Sequence, residues 1–157
     1  MYLGTAIVLA MFATAGSAAE LSIEQGTLAA GKPSSLSVRL AAGSAAPTGI
    51  QFDLEYDAAS LDIGVEAGPA AREAGKSLQS AMIQAGKQRV LVVGFNKNAI
   101  SDGVVAVLHV SLKSTGEAGK VFPVHITATS GTNQRAETVA IAGNDGSIKI
   151  EPRRNGQ

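Results

Sequence analysis

Gly49-Ile50-Gln51-Phe52-Asp53-Leu54-Glu55-Tyr56-Asp57 is the stretch whose reading decides the fold. Ile50, Phe52, Leu54 and Tyr56 recur at every second position, with Gln51, Asp53 and Glu55 between them. Successive side chains of a strand point to opposite faces, so the first set lines a core and the second meets solvent. Phe52 and Tyr56 belong to the inward set, and large rings dominate core energetics. The stretch predicts a half-buried strand onto which the others must pack.

The same signal repeats on either side. Upstream, Leu21-Ser22-Ile23-Glu24 alternates and stops at Gly26; Leu36, Val38 and Leu40 then share a face before the small-residue loop 41–47. Downstream, Leu61, Ile63 and Val65 share a face. Residues 69–75 alone lean towards helix: Pro69 suits a first helical position, good helix formers follow, and the segment is too short for more than one turn. Residues 78–84 alternate weakly. Residues 89–96 are apolar on both faces, with Leu91, Val93 and Phe95 on one and Val90, Val92 and Gly94 on the other.

Further on, Val104, Ala106, Leu108, Val110 and Leu112 fall together, as do Phe122, Val124, Ile126 and Ala128. A strand over residues 138–141 follows, and Asn144-Asp145-Gly146 reads as a hairpin turn into Ile148 and Ile150. About nine short strands, regular turns and almost no helix predict an all-β fold, a jelly-roll-like antiparallel β-sandwich.

Residues 1–19 read differently. They carry no charge, are apolar or small from Leu3 to Ala15, and end in Ser17-Ala18-Ala19, which suits signal-peptidase cleavage before Glu20. A membrane anchor is the competing reading, but Gly4, Thr5, Thr14, Gly16 and Ser17 dilute the apolar run such an anchor needs. The expected organisation is a signal peptide at 1–19, one domain at 20–151 and a flexible polar tail at 152–157. The expected location is secreted, periplasmic or in the cell envelope, with no membrane segment after cleavage.

Thirteen basic and thirteen acidic residues balance and are interspersed, so nothing steers the chain towards nucleic acid or an anionic membrane. With no cysteine, disulfides and a lipoprotein anchor are both excluded, and strand ladders and core must hold the fold.

Catalytic patterns are missing. His109 and His125 fall on the polar faces of their strands, and no nucleophile-elbow serine accompanies them. Without cysteine or short His/carboxylate spacing they make no zinc site. Asp53 and Glu55 share a strand face with carboxyls about 7 Å apart, a spacing a glycosidase could use, but carboxylates on the wet side of a strand are ordinarily a solvated surface. No catalytic residue, metal or cofactor is expected.

The strand 49–57 ending in Tyr56-Asp57 with Leu61 after it, the strand 90–96, and Ile100-Ser101-Asp102-Gly103 leading into residues 104–112 together resemble the cohesin family, the β-sandwich modules of bacterial scaffolding proteins that bind dockerin modules of polysaccharide-degrading enzymes. The resemblance runs from about Leu21 to Ile150. It implies a non-catalytic module whose flat sheet face, made by strands 49–57, 78–84 and 89–96, binds a dockerin-type protein in extracellular polysaccharide degradation, the calcium being carried by that partner. Carried over position by position, the outward contact candidates are Gln51, Asp53 and Glu55, then Val90, Val92 and Asn96. The alternatives are direct polysaccharide binding and a surface or secretion assembly subunit using the same fold. Sugar platforms stack aromatic rings on pyranose faces. Here tryptophan is absent, and Phe52, Tyr56, Phe95 and Phe122 all fall at positions read as inward.

Overall fold

The computed structural model describes residues 18–29, 31–113 and 118–152. The chain begins with β1 (Ala19–Ile23), β2 (Gln25–Ala29), β3 (Ser34–Ala41), β4 (Gly49–Glu55) and β5 (Leu61–Ala67). The short helix α1 (Pro69–Glu73), the only helix among the described residues, leads to β6 (Ser77–Gln84) and β7 (Lys87–Val93). Then come β8 (Gly103–Leu112), β9 (Val121–Thr132), β10 (Thr138–Asn144) and β11 (Gly146–Glu151). The helical turn is where the sequence placed it, with Pro69 opening it and Ala70 and Ala71 buried.

The strands hydrogen-bond in the order β5-β8-β3-β1-β10-β9-β4-β7-β6, with β11 joining β9 to β2. The ladder folds into the two layers of a sandwich, β5-β8-β3-β1 on one side and β9-β4-β7-β6 on the other. β4 is central: it pairs with β7 along one edge and β9 along the other. Ile50, Phe52 and Leu54 are buried, as their alternation requires, and meet Leu21, Leu36, Leu61, Leu108 and Ile148 in one apolar core.

Among the described residues eleven strands stand where about nine were expected; the strand the sequence reading missed is β2, and two runs are kinked. β1 passes into β2 at Glu24, and β10 into β11 at Asp145. The two kinked ribbons run side by side: β1 pairs with β10 and β2 with β11, both parallel, so the sandwich is not wholly antiparallel. Asn144-Asp145-Gly146 is therefore a crossing between layers, not a hairpin turn. Gly146 permits the close approach, since a Cβ there would stand 2.6 Å from the Glu24 carbonyl oxygen. Asp145 fixes it by accepting from the Ile126 amide at 2.9 Å and pairing with His125 Nδ1 at 2.8 Å.

Two inward assignments shift at bulges, where an extra residue changes the alternation. The irregularity opposite Val38 and Arg39 puts Val105 in the core and leaves Val104 half-buried. Ala128, expected inward, has φ 49 at an irregularity in the β4–β9 pairing and is exposed.

Of the expected leader, only Ala18 and Ala19 lie among the described residues; Ala19 opens β1 and is buried. The expected tail is described only at Pro152. Among the described residues no helix is long and apolar enough to cross a membrane.

Candidate protein-binding face

The register of β7 on β4 decides which residues the outer surface of the β9-β4-β7-β6 layer presents. Val90 stands opposite Phe52 and Val92 opposite Ile50, on the core side. Both valines are completely buried, so the expectation that Val90 and Val92 face outward is corrected. Their neighbours take the outer face: Leu91, half-buried, opposite Gln51, and Val93, 39% exposed, at the end of the strand. The reason is electrostatic as well as apolar. Lys87 and Arg89 share the parity of Leu91 and Val93, and they stand opposite Glu55 and Asp53.

Two cross-strand ion pairs follow. Arg89 holds Asp53 through Nε to Oδ1 at 2.8 Å and Nη2 to Oδ2 at 2.9 Å, the two-pronged geometry that gives strong, well-aligned charge-assisted bonds. Asp53 is on the outer side as expected but fully buried, while the Arg89 side chain remains 43% exposed. The carboxylate's hydrogen bonds and charge raise the Arg89 pKa further. Lys87 Nζ lies 3.3 Å from Glu55 Oε1. Both carboxylates that might have formed a catalytic pair are thus engaged by cations. Among the described residues no group of three or more His, Cys, Asp or Glu could hold a metal ion.

The face continues sideways. On one flank β9 places Ser130 beside Gln51, Thr127 beside Asp53 and His125 beside Glu55. On the other, β6 sets Ser77, Gln79 and Ala81 opposite Val93, Leu91 and Arg89. These β6 side chains are small or polar and exposed, and beside them Leu91 is half-buried and Val93 exposed. Gln51 is half-buried between them. The result is a surface with an apolar centre, internally neutralised charge and a polar rim, the pattern of specific protein interfaces.

Asn96 does not join it. Its side chain is half-buried, accepts from Lys76 Nζ at 2.6 Å and donates to the Ala74 carbonyl at 3.1 Å, tying it to the α1–β6 connection. Phe95, expected inward, is fully exposed beyond the end of β7. The sequence reading missed Lys87, Arg89, Leu91 and Val93 because both faces of β7 are apolar and Phe95 drew its own parity inward. The alternation of Lys87 and Arg89 with Val90 and Val92 was the available signal.

A family model for the cohesin domain matches residues 8–150. The chain belongs to the cohesin family. No curated protein matches the chain in sequence. Several solved structures share the cohesin's fold. The sixth cohesin of scaffoldin B from Acetivibrio cellulolyticus, solved in complex with a mutant Cel5 dockerin, is 22% identical with a TM-score of 0.76, covering 86% of this chain and 100% of that one. A cohesin–dockerin complex of OlpA from Clostridium thermocellum gives 16% identity and a TM-score of 0.74, covering 85% and 99%. A non-cellulosomal cohesin from the archaeon Archaeoglobus fulgidus gives 12% identity and a TM-score of 0.71, covering 88% and 94%. In this cohesin the strand 49–55 is the central strand of the layer that carries the outer face described above.

Proposed function

We propose that this cohesin is a non-catalytic interaction module that binds a dockerin-type protein through the outer face of β9-β4-β7-β6. The observation that carries the reading is the centre formed by half-buried Leu91 and exposed Val93 beside two satisfied ion pairs. Such a surface offers apolar area at its centre without a lone buried charge to desolvate, which favours association. Several similar structures are described as complexes with dockerins, which supports the same class of partner. The proposal extends to calcium carried by the dockerin, to export of the chain with removal of the leader, and to a setting in polysaccharide degradation.

Calorimetric titration of residues 18–152 with the dockerin modules of the same genome, and with the Cel5 dockerin, tests the reading. Each is measured with calcium and with EDTA, beside a pull-down on insoluble cellulose and xylan. Saturable, calcium-dependent one-to-one binding of a dockerin is expected. Retention on polysaccharide without dockerin binding would replace the reading with direct sugar recognition.

A further inference from the structure

Phe95 is more exposed than any other large apolar residue among those described, at 113% relative exposure. It sits two residues beyond Val93, at the corner where β7 leaves the layer. An exposed ring on a floppy loop would be unremarkable, since single apolar residues at the surface are common. This ring is not on a floppy loop. The next residue, Asn96, is the hub of a hydrogen-bonded knot. Lys76 Nζ donates to its carbonyl oxygen at 2.9 Å and to Oδ1 at 2.6 Å. Asn96 Nδ2 donates to the Ala74 and Gly75 carbonyls at 3.1 and 3.4 Å. Asn98 closes it, its amide donating to Asn96 Oδ1 at 3.0 Å and its Nδ2 to the Ala74 carbonyl at 3.3 Å.

The knot is built at some cost. Lys76 is only 5% exposed and, among the described residues, has no carboxylate in its hydrogen-bond set, although a buried ammonium ordinarily demands one. Its burial lowers its pKa. The two connections are brought together by glycines on both sides. Gly75 has φ +71, and a Cβ there would meet Asn96 Nδ2 at 2.7 Å; a Cβ at Gly94 would meet the Gly75 carbonyl oxygen at 2.8 Å. The two residues flanking Phe95 are thus held, Gly94 by its close approach to Gly75 and Asn96 by its hydrogen bonds, while among the described residues nothing buries the ring itself.

We propose that Phe95 is a preorganised anchor that enters an apolar pocket of the dockerin-type partner, and that Lys76 and Asn96 are positioning residues that hold it out. This rests on the binding face proposed above, whose strand β7 ends at Val93, two residues before Phe95. Aromatic anchors at interfaces carry a disproportionate share of affinity, and holding the backbone that presents one reduces the ordering cost of association.

The test uses whichever dockerin binds most tightly in the panel above, titrated against Phe95→Ala, Phe95→Leu, Asn96→Ala, the Phe95→Ala/Asn96→Ala double variant, and Val93→Asp. Phe95→Ala is expected to weaken binding about thirtyfold or more, with an unchanged melting temperature and partial rescue by Phe95→Leu. Asn96→Ala is expected to weaken binding several-fold through faster dissociation, and to have no further effect once Phe95 is alanine. Full affinity in Phe95→Ala with loss in Val93→Asp would overturn the anchor and leave the binding face standing. An Asn96→Ala effect that persists undiminished without Phe95 would overturn the positioning role. If no dockerin binds, or if Phe95→Ala abolishes retention on cellulose or xylan instead, both the anchor and the reading it rests on fail.

Discussion

Changing Val92 and Val93 separately to threonine tests the register of β7, on which the composition of the proposed binding face depends. Threonine keeps the shape and strand preference of valine and replaces one methyl with a hydroxyl, so the two variants differ mainly in where that hydroxyl lands. Val92 is completely buried opposite Ile50, and β7 is paired on both sides, so its backbone carbonyls and amides are already engaged. A hydroxyl left there without a partner costs about 1–3 kcal/mol. For a domain of this size each kcal/mol lowers the melting midpoint by roughly 3–5 °C, so Val92→Thr should melt roughly 3–15 °C below the wild type. Val93 is 39% exposed, and its threonine variant should stay within about 0.5 kcal/mol, or roughly 2 °C. Circular dichroism melts supported by urea titrations read both. A wild-type melt for Val92→Thr with a marked drop for Val93→Thr would invert the register and refute the assignment of Leu91 and Val93 to the outer face.

Three further outcomes follow from the packing. Gly146→Ala would press a methyl against the Glu24 carbonyl where the kinked ribbons cross, and overpacking of this kind costs about 1–3 kcal/mol, measurable as a lower urea midpoint. Phe52→Ala, emptying the fully buried centre of β4, should cost about 3–5 kcal/mol in the same assay. The Asp145 carboxyl is held below its ordinary value of 3.8, first by the His125 hydrogen bond and then by the Ile126 amide. A depressed folded pKa gives stability that is present above the unfolded pKa and lost as pH falls through the folded one. Melting temperatures from pH 6 down to pH 2 should therefore fall below about pH 4, and Asp145→Asn should flatten that fall; an unchanged acid slope would contradict the pairing.

Much of the fold was legible because one face of most strands is wet. In β4 and β3 polar residues interrupt the apolar ones at every second position, and the inward sets Ile50/Phe52/Leu54 and Leu36/Val38/Leu40 are buried as read. Pro69 announced α1 in the same local way. What failed was non-local. The kinks at Glu24 and Asp145 exist because two distant ribbons pair in parallel, which no local pattern records. The bulges that bury Val105 and expose Ala128 are set by the partner strand.

The face itself was half legible. Gln51, Asp53 and Glu55 do lie on the outer side, but the burial of Asp53 depends on Arg89 arriving from the neighbouring strand. Val90 and Val92 were misassigned because apolar residues on both faces of β7 left parity undetermined, and the charges of Lys87 and Arg89, which resolve it, gain their meaning only opposite β4. Phe95 could not be placed by alternation at all. Its exposure follows from the Lys76–Asn96 knot, whose residues are twenty positions apart.

The central claim is that partner binding occupies the outer face of β9-β4-β7-β6, and backbone amide chemical-shift mapping during dockerin titration tests it most directly. The account predicts that perturbed amides cluster in residues 77–84, 87–96 and 49–55 and in the 125–130 segment of β9, with the β5-β8-β3 layer unchanged. Perturbations concentrated in residues 61–67, 103–112 and 34–41 would place the partner on the opposite layer and contradict it.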